Sequence, residues 1–197
     1  MKPEVEAKFL NVNHDEVRAK LKELGAKLEV PMRTMRRTIL DYPDGRFETR
    51  DKSRLRVRDE SDKVTVTYKT SGDGQYQDEI ETTVGSYETM IELFEAIGLK
   101  KFSAQETKRE TWTYRDAEIV LDEWPWVKPY IEIEGESQEA ITEIAKELGF
   151  DWSHAVFGGI EAVYRAEYPG MKPDEVLGQV GDVSFDMPLP GWLEDRK

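Results

Sequence analysis

Three segments of the chain carry glutamates in Glu-x-Glu spacing, at Glu4/Glu6, Glu79/Glu81 and Glu132/Glu134, and three arginines alternate at Arg54, Arg56 and Arg58. In an extended segment, residues two apart share a face, so each spacing delivers like charges side by side to one surface. Such neighbours repel unless something neutralises them. Arginine forks grip phosphate oxygens bidentately and lysine adds a point charge, while carboxylate clusters suit hard divalent cations such as Mg²⁺ or Mn²⁺. The chain has no cysteine and two isolated histidines, which removes a disulfide framework, a cysteine nucleophile and a thiolate metal site, and argues against zinc. His14 falls in the first turn of a predicted helix and His154 in a loop, both read as surface residues. No Ser/His/Asp or Cys/His arrangement is visible.

Sorting the extended segments by parity makes the pattern sharper. Period-2 alternation predicts strands at about 3–10, 33–41, 53–59, 63–70, 75–83, 105–115, 117–123 and 129–135. Their charged faces collect six cations, Lys8, Arg54, Arg56, Arg58, Lys69 and Arg109, and seven carboxylates, Glu4, Glu6, Glu79, Glu81, Asp122, Glu132 and Glu134. The plain alternative is that these faces are the wet side of a sheet. Two features oppose it: like charges are segregated beyond what solubility requires, and three amphipathic helices need the opposite, Val/Ile/Leu-rich faces to cover.

Those helices begin at Asn13, Ser86 and Ser137 as N-caps and stop at Gly25, Gly98 and Gly149. Asn13 followed by Glu16 has capping-box spacing. Short turns at Asp44-Gly45, 72–74 and Arg115-Asp116 join most of the strands. The expected architecture is α+β: a closed eight-stranded antiparallel β-barrel, or tunnel, with helices packed outside and the charged faces lining its interior. The expected domain spans 1–168, with 153–168 a helix interrupted at Gly158-Gly159. Residues 169–197, rich in Pro, Gly and acids, read as a peripheral tail. Glu4-x-Glu6 and Glu132-x-Glu134 each lead into a helix, a faint internal two-fold echo.

Composition bounds the partners. With 28 Lys plus Arg against 41 Asp plus Glu, the net charge is −13, which disfavours non-specific nucleic-acid binding. No apolar run is long enough for a transmembrane helix and the N-terminus lacks a signal-peptide core, so a cytoplasmic location, without nucleic acid or membrane, is expected. The positive charges on inward faces point instead to a small polyanion. A monomer or a homodimer would serve.

At these residues the sequence resembles the CYTH family, the triphosphate tunnel metalloenzymes. The resemblance rests on Glu4-Val5-Glu6-Ala7-Lys8, then LRVRDE (Arg56, Arg58), VTVTYK (Lys69), DEIET (Glu79, Glu81), TKRETW (Arg109), IVLDE (Asp122) and YIEIEG (Glu132, Glu134), in order over about 1–165. It looks most like the branch holding class IV adenylate cyclases and thiamine-triphosphatase-like proteins. The resemblance implies a triphosphate held by Lys8, Arg56, Arg58, Lys69 and Arg109; Arg54 adds a cation one step earlier on the same strand, either as a further phosphate contact or at the tunnel rim. It implies one or two divalent metals, Mg²⁺ or Mn²⁺, on Glu4, Glu6, Asp122, Glu132 and Glu134. Glu79 and Glu81 would order the cations or support a second metal, and Glu4, Glu6, Lys8 and Glu134 would stand at the chemistry. Where the family often has Lys-x-Arg, this chain has Thr107-Lys108-Arg109, one phosphate contact fewer. Metal-dependent hydrolysis of a triphosphate is the implied reaction; the alternatives are class IV cyclase chemistry on ATP and a non-catalytic polyphosphate-binding module.

Overall fold

The computed structural model describes residues 5–51, 53–71, 77–172, 175 and 181–197, with the backbone alone for 71 and 77–79. Eight strands, β1 (Val5–Leu10), β2 (Lys27–Asp41), β3 (Ser53–Asp59), β4 (Val64–Ser71), β5 (Gln77–Val84), β6 (Lys100–Tyr114), β7 (Ala117–Glu123) and β8 (Tyr130–Gly135), form one sheet in the order β1-β8-β7-β6-β2-β3-β4-β5. Every pairing with a described register is antiparallel. The order ends at β1 and β5, and among the described residues no ladder joins them. Hydrogen bonding therefore makes an eight-stranded antiparallel sheet with helices, and the expected closure into a barrel is not made by a β1–β5 ladder.

Helices α1 (His14–Glu23), α2 (Tyr87–Ala96) and α3 (Gln138–Glu147) start where their caps require. Asn13 Oδ1 accepts from the Asp15 amide, Ser86 Oγ from Thr89 and Ser137 Oγ from Ala140, each satisfying a first-turn donor. Asn13 Nδ2 also donates to Glu16, which is the capping-box spacing realised between side chains. All three end alike: Gly25, Gly98 and Gly149 take positive φ, and the residue after each donates back to the carbonyl five before it.

Two strands run further than alternation predicts. β2 begins at Lys27, six residues before the expected start, and passes through Pro31, whose missing N–H argues against a strand from sequence but which is exposed here. β6 begins at Lys100. In 153–168, Trp152–His154 form one helical turn, and Gly158-Gly159 precede α4 (Ile160–Glu167) with Gly159 as its N-cap, instead of interrupting a longer helix.

The chain divides into two compact units. The first contains residues 1–33, 107–174 and 185–197. Its core is the apolar parity face of β1, β8, β7 and β6 (Ala7, Phe9, Ile119, Leu121, Ile131, Ile133, Trp112) under α1 (Val17, Leu21) and α3 (Ile141, Ile144, Ala145, Leu148). Gly135 closes β8 so tightly against α3 that a Cβ would stand 2.9 Å from Ile141 Cγ2. We expect Gly135→Ala to destabilise by about 1–3 kcal/mol through overpacking, read as a fall in the urea midpoint at unchanged m-value.

The second unit contains 34–106 and 175–184. Leu40, Leu55, Val57, Tyr87 and Leu99 form its core, with Val64, Val66, Tyr68 and the α2 side chains Met90, Ile91 and Phe94 packed on it. Tyr87 and Thr38 share a buried 2.6 Å hydroxyl–hydroxyl hydrogen bond. In the stretch from 169 onward, Met171, Val183 and Leu193 are buried. Val183 pairs with Gln105 in the second unit, and Leu193, in α5 (Gly191–Glu194), is fully buried in the first. Among the described residues no helix is long and apolar enough to cross a membrane.

Candidate functional site

In the first unit the face opposite the core carries the charges that parity assigns to it. Lys8 lies directly across from Glu132, and Glu6 from Glu134, on β1 and β8. Lys8 gives both its backbone N–H and C=O to Val156, at 2.9 Å each, on the side away from β8. Lys8 and Glu132 are therefore a non-hydrogen-bonded cross-strand pair, the kind whose side chains lie closest. Lys8 Nζ accordingly reaches Glu132 at 3.0 Å and Glu6 at 2.8 Å while being only 3% exposed. Burial alone would lower its pKa; Glu132 and Glu6 outweigh that and raise it. Burial pushes the Glu132 carboxyl up, against the pull of Lys8 and Arg109.

Glu6, Glu132 and Glu134 each bring a carboxylate oxygen to within 4.8 Å of the other two. An octahedral Mg²⁺ with bonds near 2.1 Å spans about 4.2 Å between opposite ligands, so small rotamer changes close the set on an ion. All-oxygen, hard donors fit Mg²⁺ or Mn²⁺. Glu118 faces Glu134 from β7, which makes Glu6–Glu134–Glu118 a row of acids across three strands. Glu118 is not among the seven carboxylates collected from the sequence. Glu4 lies outside the described residues.

Asp122 is placed differently from that carboxylate group. It faces Arg109 across β6 and β7, and both its oxygens accept from that guanidinium, at 2.7 and 2.6 Å, with Asp122 1% exposed. Burial works to lower the Arg109 pKa, and Asp122 reverses it into a rise. Arg33 of β2 donates to the Arg109 carbonyl, adding a cation that the sequence sort did not collect. Thr107, at the family's lysine position, is 1% exposed.

In the second unit the same parity rule gives a basic face. Leu55 and Val57 enter the core, so Arg54, Arg56 and Arg58 turn the other way. Arg56 and Arg58 are half-buried and Arg54 is exposed, a position consistent with a rim. Across the strands stand three rows: Arg37–Arg58–Thr65–Thr83, Ile39–Arg56–Thr67–Glu81 and Arg54–Lys69–Glu79. Glu81 accepts from Thr67 Oγ1 at 2.7 Å, and Thr67 in turn accepts from Arg56 at 3.2 Å, so this acid orders a cation through a hydroxyl. For Glu79 only the register opposite Lys69 is described.

Other residues singled out from sequence are engaged elsewhere. His14 is buried, not superficial: Nε2 meets the Tyr130 carbonyl at 3.1 Å and ties α1 to the start of β8. Tyr42, Trp124 and Trp126 are aromatic residues engaged by their neighbours. Arg46 covers one face of Tyr42, whose ring edge meets Phe47. Trp124 is buried against Tyr164, and Trp126 donates to the Met187 carbonyl.

Solved structures share this fold. The PH1012 protein of Pyrococcus horikoshii OT3 superposes with a TM-score of 0.64 at 24% identity, over 82% of this chain and 99% of that one. A Vibrio parahaemolyticus protein provisionally called an adenylate cyclase gives 0.70 at 15% identity, over 81% and 96%. A Hippeastrum protein provisionally called an adenylyl cyclase, and described as having a dominant triphosphatase activity, gives 0.59 at 16% identity, over 84% and 96%. No curated protein matches the sequence. The sequence model of the CYTH domain matches residues 2–153, which include every charged strand face described above, and on that match the chain belongs to the CYTH family.

Proposed function

We propose that the chain is a divalent-metal-dependent enzyme that hydrolyses the terminal phosphoanhydride of a small-molecule triphosphate. The observation that carries this reading is the convergence of Glu6, Glu132 and Glu134 beside a buried Lys8. Glu6, Glu132 and Glu134 would hold Mg²⁺ or Mn²⁺, with Glu4 preceding them in the same motif. When bound, the cation supplies Lewis-acid polarisation of a phosphoryl oxygen. Lys8 donates to a non-bridging oxygen while Glu132 keeps its ammonium in place. Arg109, locked by Asp122, presents a fixed positive edge that costs little reorganisation as charge develops. The family resemblance assigns Arg56, Arg58 and Lys69 of the second unit, together with Arg54, to phosphate oxygens. A carboxylate at the centre orients the attacking water.

Hydrolysis is favoured over cyclisation because Trp124 is buried against Tyr164 and Arg46 lies over one face of Tyr42, which reduces the aromatic surface on which a base could stack. The triphosphatase activity described for the Hippeastrum protein lends support. The test supplies tripolyphosphate, ATP and thiamine triphosphate with Mg²⁺ or Mn²⁺ and resolves the products. Orthophosphate release is the expected result. Cyclic AMP with pyrophosphate from ATP would replace hydrolysis by cyclase chemistry, and tight binding without release under either metal would reduce the protein to a binding module.

A further inference from the structure

One cross-strand row of the second unit has a composition unlike its neighbours. In the rows through Arg56 and through Lys69, β5 contributes a glutamate; in the row Arg37–Arg58–Thr65–Thr83 the four strands contribute two arginines, two threonines and no acid. Arg37 and Arg58 are directly opposite each other on adjacent strands, a repulsive placement that an anion would relieve. A carboxylate from the β3–β4 turn meets Arg58: Glu60 Oε1 lies 2.6 Å from Arg58 Nη2. That contact engages one corner of the guanidinium. Its Nε is buried and has no hydrogen-bond partner among the described residues.

Next to Arg58 on β4 is Thr65, 1% exposed, whose hydroxyl likewise has no hydrogen-bond partner among the described residues. A threonine one row along, Thr67, uses its hydroxyl fully, between Arg56 and Glu81. A buried hydroxyl left without a partner is a cost that folded proteins seldom carry without a use. Two adjacent buried donors, Arg58 Nε–H and Thr65 Oγ–H, thus stand beside a second guanidinium.

We infer that Arg37, Arg58 and Thr65 form an oxyanion subsite for one phosphoryl group of the substrate, with Thr65 Oγ and Arg58 Nε donating to its oxygens and Arg37 balancing its charge. The subsite rests on the triphosphate reading above and adds two residues to it, Arg37 and Thr65. It assigns the acid-free row to the most highly charged end of the chain of phosphates, where a row containing a glutamate would repel.

The probe is inorganic tripolyphosphate, titrated calorimetrically into the metal-free full chain so that turnover does not intervene. Thr65→Val keeps the β-branched shape and removes only the hydroxyl. It should weaken binding by about tenfold to a hundredfold, the range for a hydrogen bond to a charged group. Thr65→Ser should retain affinity, and Arg37→Gln should lose it to a similar degree as Thr65→Val. Without ligand, Thr65→Val should melt at or above the wild-type temperature, since it removes an unsatisfied buried group. Wild-type affinity in Thr65→Val overturns the subsite while leaving the triphosphate reading intact. Failure of the wild type to bind tripolyphosphate at all overturns both.

Discussion

Glu134→Gln should abolish turnover while leaving the protein at least as stable as it was. The substitution preserves shape and removes one negative charge from the group Glu6, Glu132, Glu134. A bound divalent cation contributes several kcal/mol to a phosphoryl-transfer barrier, so losing a ligand to it corresponds to a fall in kcat on the order of 10³ or more. The stability prediction has the opposite sign because Glu134 is flanked on both neighbouring strands by glutamates, Glu6 and Glu118. Like charges directly opposite each other destabilise a sheet, and the amide relieves both pairs. Product release and a metal-free thermal melt on the same preparation check the two halves. A variant that is inactive because it is unfolded would show it in the melt.

Lys8→Met should instead cost stability heavily. Lys8 is 3% exposed and neutralises Glu132, itself 11% exposed, so its removal leaves a buried carboxylate with only the Arg109 guanidinium to offset it, a change worth about 3 kcal/mol. The loss should depend on pH. Burial already raises the Glu132 pKa in the folded protein, and removing Lys8 takes away an opposing influence. A carboxyl whose folded pKa lies above its unfolded value binds more protons when folded. Its stabilising contribution is present below the unfolded value and disappears as pH rises through the folded one. The variant should therefore be nearest to wild type in acid and furthest from it at pH 8, and added Mg²⁺ should restore part of the difference by replacing the missing positive charge. Urea titrations at pH 5 and pH 8, with and without Mg²⁺, measure all three effects. A loss equal at both pH values would mean that Lys8 serves packing and not charge.

Strict alternation made much of this arrangement legible. In β1, β3, β4 and β8 every second residue is apolar, so Lys8, Arg56, Arg58, Thr67 and Glu132 could be assigned to a face before any pairing was known, and caps and glycines located α1, α2 and α3. What alternation cannot convey is which strand neighbours which. Asp122 reads as one more carboxylate of the acidic set until the register places it opposite Arg109, where both its oxygens are occupied. Arg37 was hidden because the doublet Arg36-Arg37 puts a charge on both faces; only pairing with Arg58 shows which of the two shares the basic face of β3. His14 looked like a surface residue because its partner, the Tyr130 carbonyl, is 116 positions away. Closure of the sheet was unreadable for the same reason: parity fixes faces and says nothing of what happens at the two terminal strands.

The backbone bridge between Lys8 and Val156 bears on those terminal strands. An end strand displays amide groups that can template pairing with another chain, and β1 is both an end strand and the bearer of Glu6 and Lys8. Val156 occupies the outward N–H and C=O of Lys8, at the middle of that edge. The residue that guards the edge lies three positions past the segment matched to the CYTH domain. Val156 thus covers the edge of the strand that bears Glu6 and Lys8, and it should make the Lys8 amide one of the slowest to exchange with deuterium in the first unit.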